Sequence, residues 1–286
     1  MSSAATDSTV TRIGLIGYGR WGALVARDLR ALGADLTVCG SGASVRRARE
    51  AGIESVVAEA GELAGVDGVV ICTPTPVHAE SIDSVAGLGV PIFVEKPMTD
   101  DVAAARRLAA QLGDRLFVMD KWRYHRGVEK LGEIARGGNL GAVVGLRSRR
   151  LSRKLGHDNV DAAWVLLPHD LAIGYEILGQ RLEPAHAVGL ADAGGVRHME
   201  VTLGSAPWHR VDVSEYAAAH RRELELLCTE GAAWLEDPLD DHLLVRRYDN
   251  LSGDPEQIPI ATEMPLLREL DTFVRYVAGA QEPADG

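Results

Sequence analysis

The chain has 286 residues, of which 46% are hydrophobic and 25% charged, and its formal net charge is −11. This composition is that of a globular protein with one large domain or two modest ones, and its charge argues against nucleic acid or an anionic membrane as a partner. Neither a membrane span of roughly 18 apolar residues nor a signal peptide is evident, so we expect a cytoplasmic protein that begins with a flexible tail at residues 1–10.

Strand and helix patterns alternate over the first 120 residues. Apolar runs typical of buried strands occupy residues 12–16, 36–39, 66–72, 91–94 and 115–119. Helical segments separate them at residues 23–32, 44–51, 76–88 and 100–112. Strands joined by helices of this length predict a parallel, doubly wound sheet of the Rossmann type, which we assign to residues 11–120.

Three glycines at G-x-G-x-x-G spacing follow the first predicted strand, and each has a physical role. Gly17 allows the tight turn, Gly19 lets the backbone approach a pyrophosphate, and Gly22 lets the next helix pack closely on the strand. The pattern predicts a dinucleotide site, and the loop side chains Tyr18, Arg20 and Trp21 belong to the predicted cofactor contacts.

The residues after the second predicted strand indicate which dinucleotide binds. An NAD site usually has Asp or Glu there for the ribose hydroxyls, but residues 39–42 read Cys-Gly-Ser-Gly. Ser41 and Arg46 suit a 2′-phosphate, although arginines at 46, 47 and 49 also suit a solvated helix face. We favour NADP, with NAD as the alternative.

Two further motifs follow strands of the same predicted sheet, at the edge where doubly wound sheets bind ligands. We expect these motifs to supply further cofactor contacts: Cys72, Thr73, Pro74, His78, Glu95 and Lys96. Lys96 can also contact the substrate, because its ammonium can donate a proton or stabilise charge on a substrate oxygen. A surface lysine paired with Glu95, and an exposed helical position for His78, are the structural alternatives.

The pattern changes after residue 120. Strand-like runs with short turns occupy residues 143–151, 185–190, 196–203, 209–216, 223–228 and 232–235, and helices are predicted at 161–178 and 263–277. This pattern predicts a C-terminal α+β domain at residues 121–286 with an open, mainly antiparallel sheet. Because such a sheet often buries one face in a partner subunit, we expect a homo-oligomer, either a dimer or a tetramer.

The glycine loop, the segment Cys72 to His78, the triplet at residues 95–97 and Pro168-His169-Asp170 together resemble the glucose-fructose oxidoreductase / inositol dehydrogenase / MocA family over residues 12–277. The resemblance implies a nicotinamide domain followed by a domain for substrate binding and oligomerisation. It also implies hydride transfer at a ketone or carbinol carbon, often of a sugar, cyclitol or nucleotide-linked sugar. In this family His169 would begin a helix, face the nicotinamide and donate or accept a proton. A buried structural histidine is the alternative.

One family position differs. Many members carry an Asp four residues before this histidine, where this chain has Val165. His157, Asp158 and Asp161 lie nearby but at the wrong spacing. Either a Lys–His pair suffices, or the reaction is a reduction that needs less base assistance, or the site is impaired. Asp170 cannot share the helix face of His169, so it is a weaker candidate, with an orienting or structural role or a substrate contact.

Three other residues are candidate substrate contacts. Arg123 and Tyr124 stand where the chain crosses between the predicted domains, where interface packing is an equal alternative. Arg149 belongs to the basic run at residues 147–154, which could hold a substrate phosphate or carboxylate or form a solvated edge or subunit interface. The three cysteines are far apart in the sequence, and we predict buried thiols and no metal site.

These features predict an NADP-preferring oxidoreductase that transfers hydride between nicotinamide and a ketone or alcohol carbon of a sugar-like small molecule. Lys96 and His169 would assist proton transfer. Two alternatives stay open: a reductase of an imine or conjugated double bond, and a dinucleotide-binding regulator without catalysis, which the valine at position 165 motivates.

Overall fold

The computed structural model describes residues 10–153 and 161–280. All but the last residue of the predicted tail at 1–10 lies outside these residues, as do His157 and Asp158. The contacts divide the chain into two compact units. The first comprises Met1–Met119 with Leu266–Gly286, and the second comprises Asp120–Pro265.

The first unit has a sheet of six parallel strands. They are β1 (Arg12–Ile16), β2 (Asp35–Cys39), β3 (Val56–Val57), β4 (Gly68–Ile71), β5 (Ile92–Val94) and β6 (Leu116–Val118), in the order β3-β2-β1-β4-β5-β6. The connections contain α1 (Arg20–Ala31), α2 (Ala43–Glu50), α3 (His78–Val85) and α4 (Val102–Leu112). This topology confirms the predicted doubly wound sheet and adds β3, which the sequence analysis missed.

Apolar side chains from alternating positions of these strands enter two different clusters. Val70 and Phe93 belong to one cluster, whereas Ile71 and Val94 belong to the other. Successive side chains of a strand point to opposite faces, so both faces of the sheet are covered. This explains why the strands are near-continuous apolar runs in the sequence.

The helix near the C-terminus belongs to the first unit. The helix α7 (Pro265–Val277) places Phe273 on the ring of Phe93, with centroids 4.8 Å apart, and the hydroxyl of Tyr276 donates to the carbonyl oxygen of Asp114 at 3.4 Å. The sequence analysis assigned this helix to the second domain, and that assignment is wrong. Its apolar stripe completes the core of the parallel sheet instead.

The second unit has a sheet of eight strands. They are β7 (Val143–Arg153), β8 (Pro184–Asp192), β9 (Gly195–Gly204), β10 (Trp208–Ser214), β11 (Tyr216–Cys228), β12 (Gly231–Leu235), β13 (His242–Arg247) and β14 (Glu256–Pro259). Their order is β14-β13-β12-β11-β7-β10-β9-β8, and every pairing is antiparallel except that of β10 with β7. The predicted open sheet is therefore confirmed. The sequence analysis missed β13 and β14 and placed the start of β11 seven residues too late.

Two helices cover this sheet, α5 (Arg126–Gly137), which was not predicted, and α6 (Ala162–Leu178). Leu131 of α5 and Ile173 of α6 join Leu146 and Leu226 of the sheet in one apolar cluster. The carboxylate of Asp161 caps α6 by accepting from the backbone N–H of Trp164 at 3.2 Å. Within the described parts of the chain, no helix is long and apolar enough to cross a membrane.

Candidate active site

The glycine loop of the first unit has the geometry that a dinucleotide requires. Gly17 has a φ of +92°, and a Cβ there would lie 2.9 Å from the carbonyl group of Cys72. A Cβ on Gly22 would collide with the carbonyl oxygen of Gly17, whereas a Cβ on Gly19 would meet nothing within 4 Å. The loop therefore needs glycine at Gly17 and Gly22 for its own folding, and the space beside Gly19 is open for a phosphate group.

Two residues of α2 form hydrogen bonds to the backbone of the glycine loop. The backbone N–H of Tyr18 donates to Ser44 Oγ at 2.8 Å, and the guanidinium of Arg47 donates to the carbonyl oxygen of Tyr18 at 3.0 and 3.2 Å. The ring of Tyr18 is 5% exposed and belongs to the core, so its predicted cofactor contact is wrong for the side chain. Arg20 is exposed at the first turn of α1, and Trp21 is half-buried beside the core.

The segment after β2 carries the two residues predicted to bind the 2′-phosphate of NADP. Ser41 and Arg46 are both exposed. The guanidinium of Arg47, the next residue, is bound to the carbonyl oxygen of Tyr18 in the glycine loop. Arg46 is therefore the arginine near Ser41 that could contact a cofactor phosphate. No acidic side chain stands at residues 40–42.

His78 joins two loops at the carboxyl edge of the parallel sheet. Its ring is 1% exposed, with Nε2 2.7 Å from the carbonyl oxygen of Thr73 and Nδ1 2.8 Å from that of Pro97. The histidine is thus neither a direct cofactor contact nor an exposed helix residue. It fixes the loop after β4 to the loop after β5, which carries Lys96.

The remaining residues of these two loops stand at the same edge. Cys72 is buried, and burial raises the pKa of its thiol well above the usual range, so it contributes packing rather than a reactive thiolate. Thr73 is half-buried and Pro74 is exposed. The backbone N–H of Lys96 donates to the carboxylate of Glu95, and the Lys96–Pro97 peptide bond is cis. Lys96 itself is half-buried.

A carboxylate that the sequence analysis missed faces His169. Within the second unit, Nδ1 of His169 lies 3.6 Å from Oδ1 of Asp120, and both side chains are largely buried, at 13% and 15% exposure. His169 lies inside α6 and not at its start, so the expectation drawn from the resemblance is corrected on this point. Val165, one turn earlier, is buried and brings no carboxylate to the ring.

Asp120 follows β6 and precedes a short 3-10 helix, Lys121–Tyr124. Trp122 of this helix packs edge-on to the His169 ring, with the ring centroids 6.3 Å apart. Nothing in the spacing around residue 165 points to Asp120, because the two segments meet only in the folded unit. Its position directly after a predicted strand was the one signal available.

The structure also places the predicted substrate residues. Arg123 pairs with Glu176 at 3.2 Å and lies over the ring of Tyr175, while Tyr124 is half-buried on the same turn. Arg149 pairs with Glu223 at 3.2 Å on a half-exposed part of the sheet. These contacts of Arg123 lie within the second unit, so they do not test packing between the predicted domains, and Arg149 already pairs with a carboxylate.

Asp170 is a structural residue. Its carboxylate is 1% exposed and accepts from Nε of Arg150 at 2.6 Å. Burial raises the pKa of Asp170, and the charge of Arg150 opposes that rise. The predicted substrate contact is therefore corrected, and the structural role that was its alternative fits the geometry.

Comparisons with known proteins agree with this architecture. Residues 11–118 match the model of an oxidoreductase family with an NAD-binding Rossmann fold. The myo-inositol 2-dehydrogenase of Thermotoga maritima is 28% identical over 300 residues, which cover 96% of this chain and 90% of that protein.

Two solved structures show the same fold. The UDP-N-acetylglucosamine 3-dehydrogenase of Acidithiobacillus ferrooxidans superimposes with a TM-score of 0.81 at 23% identity, over 95% of this chain and 90% of its own. A 3-ketoreductase from Actinomadura kijaniata, in complex with TDP-benzene and NADP, gives a TM-score of 0.83 at 19% identity, over 96% and 92%. The glycine loop and the Glu-Lys-Pro turn both lie within residues 11–118, the segment that matches the model of the glucose-fructose oxidoreductase / inositol dehydrogenase / MocA family of oxidoreductases.

Proposed function

We propose that this chain transfers hydride between a nicotinamide cofactor and a ketone or alcohol carbon of a sugar-like or cyclitol substrate. The observation that carries the proposal is the buried contact between His169 and Asp120. The relatives support the substrate class, since one is named for inositol and another for a sugar nucleotide. When bound, the nicotinamide ring would supply or take the hydride, and the open space at Gly19 fits its pyrophosphate.

The Asp120–His169 pair would move the proton. A carboxylate beside Nδ1 favours the tautomer that carries its proton there, which leaves the lone pair on Nε2. Nε2 can then accept a proton from a carbinol hydroxyl, or return one to a ketone oxygen in the reverse direction. Asp120 would stabilise the charged ring and thereby replace the carboxylate that Val165 lacks. From the first unit, Lys96 would assist proton transfer with its ammonium group.

Substitution of the histidine tests this assignment. We expect His169→Gln to lower kcat by about 100-fold or more, because it removes a general base or acid, and to abolish the acidic limb of the kcat/KM profile. A panel of polyols and keto-sugars with NADP(H) and NAD(H) provides the assay. His198→Gln is the matched control, since His198 also lies beside a carboxylate, 3.8 Å from Oδ1 of Asp212, but on the large sheet.

Three outcomes contradict parts of the proposal. Equal kcat values for the two glutamine variants would exclude His169 from the chemistry. Turnover of imines or conjugated double bonds, without turnover of the sugar panel, would favour that alternative. Nicotinamide dinucleotide binding with no turnover on either panel would favour a non-catalytic regulator.

The cofactor proposed is NADP in preference to NAD. The support is the acid-free end of β2 and the exposed Ser41 and Arg46 beside it. We expect Arg46→Gln to weaken NADPH binding by about 10-fold, the value of one charge-assisted hydrogen bond, and to leave NADH binding unchanged. Arg49→Gln, on the same exposed helix, is the control. Fluorescence titration measures both, and tighter binding of NADH by the unmodified chain would refute the preference.

The assembly proposed is a homo-oligomer formed through the open sheet. All nine residues of β8 are exposed, and Val188 and Leu190, two positions apart on the same face of this strand, are 59% and 55% exposed. We expect light scattering to show a dimer or tetramer, and a Val188→Glu/Leu190→Glu variant to be monomeric. Leu239→Glu, at an 85% exposed leucine outside the strands, should leave the assembly intact. A monomeric unmodified chain would refute this proposal.

A further inference from the structure

Arg150 of β7 contacts two residues that adjoin His169. Its Nε donates to Oδ2 of Asp170 at 2.6 Å, and Asp170 follows His169 directly in α6. Its guanidinium carbon also lies 4.9 Å from the centroid of the Trp122 ring, which packs edge-on to the imidazole. One arginine of the second unit is therefore linked to the histidine by two routes, through the helix backbone and through the ring beside it.

Arg150 has a rigid base at the centre of the sheet. Strand β7 pairs with β10 on one side and with β11 on the other, so Arg150 lies opposite Val213 and Arg222. Its side chain is 6% exposed and that of Asp170 is 1% exposed. Nη2 of the arginine also lies 3.5 Å from Oδ1 of the aspartate, so two nitrogen atoms meet the carboxylate. A planar fork of this kind fixes direction as well as distance.

The helix α6 lacks one backbone hydrogen bond at this point. Pro168 lies inside α6 directly before His169, and a proline has no N–H to donate to the carbonyl oxygen four residues earlier. Successive side chains of an α-helix point about 100° apart around its axis. Because Arg150 holds Asp170 to the sheet, it fixes the rotation of α6 and hence the direction in which His169 leaves the helix.

Stability alone does not explain this buried ion pair. The removal of two charges from water costs free energy that their attraction often fails to recover, and apolar pairs of similar size are commonly as stable. Burial raises the pKa of Asp170, as such a cost predicts, and the charge of Arg150 opposes the rise. An ion pair with two hydrogen bonds supplies a defined direction, which an apolar pair does not.

We propose that Arg150 is a positioning residue for His169, which it orients through Asp170 in the helix and through Trp122 beside the imidazole. The inference rests on the proposed function, in which His169 moves the proton. A general acid or base must lie within hydrogen-bond reach of the proton that it transfers, so the direction of its ring decides the rate. Asp120 would fix which nitrogen carries the proton, and Arg150 would fix where the ring stands.

The variant Arg150→Lys tests the inference. Lysine keeps a positive charge beside Asp170 but has no planar group to stack on the indole or to meet two carboxylate oxygens. We expect kcat to fall by about 10- to 100-fold, because a displaced acid or base transfers its proton poorly, and KM to change little. The NMR signal of the His169 ring, in protein with isotopically labelled histidine, should also shift, because the ring current of Trp122 acts on it. Its absence from His169→Gln assigns this signal.

Arg197→Lys is the matched control. Arg197 also holds a carboxylate in the second unit, that of Glu215 at 2.8 Å, but it lies on β9, two strands away from β7. This variant should leave kcat and the His169 signal unchanged. The same result for Arg150→Lys would overturn the inference, even if that variant were less stable, because Arg150 would then serve folding alone.

A double variant covers the case in which Arg150→Lys does not fold. Arg150→Met/Asp170→Leu replaces the ion pair by apolar side chains of similar size, which should preserve the fold. We expect the same fall in kcat and a shifted His169 signal. A folded double variant with both values unchanged would overturn the inference. Failure of both variants to fold would overturn it too, since the pair would then be required for folding and not for the histidine.

Failure of this inference and failure of the proposed function remain distinguishable. The NMR signal of the His169 ring needs neither substrate nor turnover, whereas the His169→Gln experiment measures turnover alone. A signal that shifts in Arg150→Lys, with a kcat that does not depend on His169, would retain the positioning role and reject the catalytic assignment. An unshifted signal, with a kcat that does depend on His169, would reject the positioning role alone.

Discussion

His209 should make the stability of the second unit depend on pH by a calculable amount. It lies on β10 at 1% exposure, with Nε2 2.7 Å from Ser148 Oγ. Burial lowers its pKa from 6.5 to about 4. Between these two pKa values the ring is protonated in the unfolded chain but not in the folded chain, so the free energy of unfolding falls as the pH falls. A difference of 2.5 pH units corresponds to about 3 kcal/mol, complete near pH 4.

The variant His209→Gln isolates this contribution. Glutamine can still hydrogen-bond to Ser148 but cannot titrate, and its imperfect fit should make the variant less stable at pH 7.5. The stability gap to the unmodified chain should then shrink by about 3 kcal/mol between pH 7.5 and pH 4. Urea unfolding followed by tryptophan fluorescence reports mainly on the second unit, which contains these tryptophans: Trp122, Trp164, Trp208 and Trp234.

The difference in stability between the unmodified chain and His209→Gln excludes the contributions of other titrating groups. Carboxylates such as Asp170 occur in both, so their contributions cancel in the difference. His186→Gln, at an exposed histidine of β8, is the matched control. A pH-independent gap for His209→Gln would refute the reasoning, because it would mean that the folded chain protonates this ring as easily as the unfolded one.

Three further substitutions test packing contacts of the structure. Gly174→Ala should destabilise the second unit by about 1–3 kcal/mol in urea unfolding, because its Cβ would collide with the ring of His209. Gly137→Ala is the control: it lies near the end of α5 with no close neighbour, so it should be neutral or stabilising. His78→Leu should cost the first unit about 1–3 kcal/mol in thermal unfolding, because the carbonyl oxygen that accepts from the ring, that of Thr73 or that of Pro97, loses its donor. An unchanged midpoint would contradict the role given to the ring. Gly22→Ala should weaken dinucleotide binding by at least about 10-fold in fluorescence titrations, since the loop must open to admit the Cβ; unchanged affinity would show that the loop geometry is not what binds the cofactor.

Features encoded by neighbouring residues could be predicted from the sequence. The glycines act within one turn of chain, so Gly17 and Gly22 were assigned roles that the structure bears out atom by atom. The parallel sheet was predictable for a similar reason, since each buried strand is a continuous apolar run. The helix α5 was missed although it is amphipathic, because its first turn carries one glycine and two charged residues and its cap, His125, is not of the common Ser, Thr, Asp or Asn type.

Features that depend on contacts distant in the sequence were the ones missed. The amphipathic pattern of α7 shows that one face is buried but not against which sheet, and its place at the end of the chain favoured the wrong unit. The candidate catalytic pair is the same kind of case. The sequence offers carboxylates near Val165 only at the wrong spacing, whereas the carboxylate that lies beside the histidine ring, Asp120, belongs to the segment after β6. Contact between two side chains requires no fixed spacing in the sequence, and Trp122, two residues after Asp120, packs against the same histidine ring. We therefore expect Asp120→Asn to impair turnover, whereas Asp161→Ala, which removes the cap of the same helix, should mainly reduce stability.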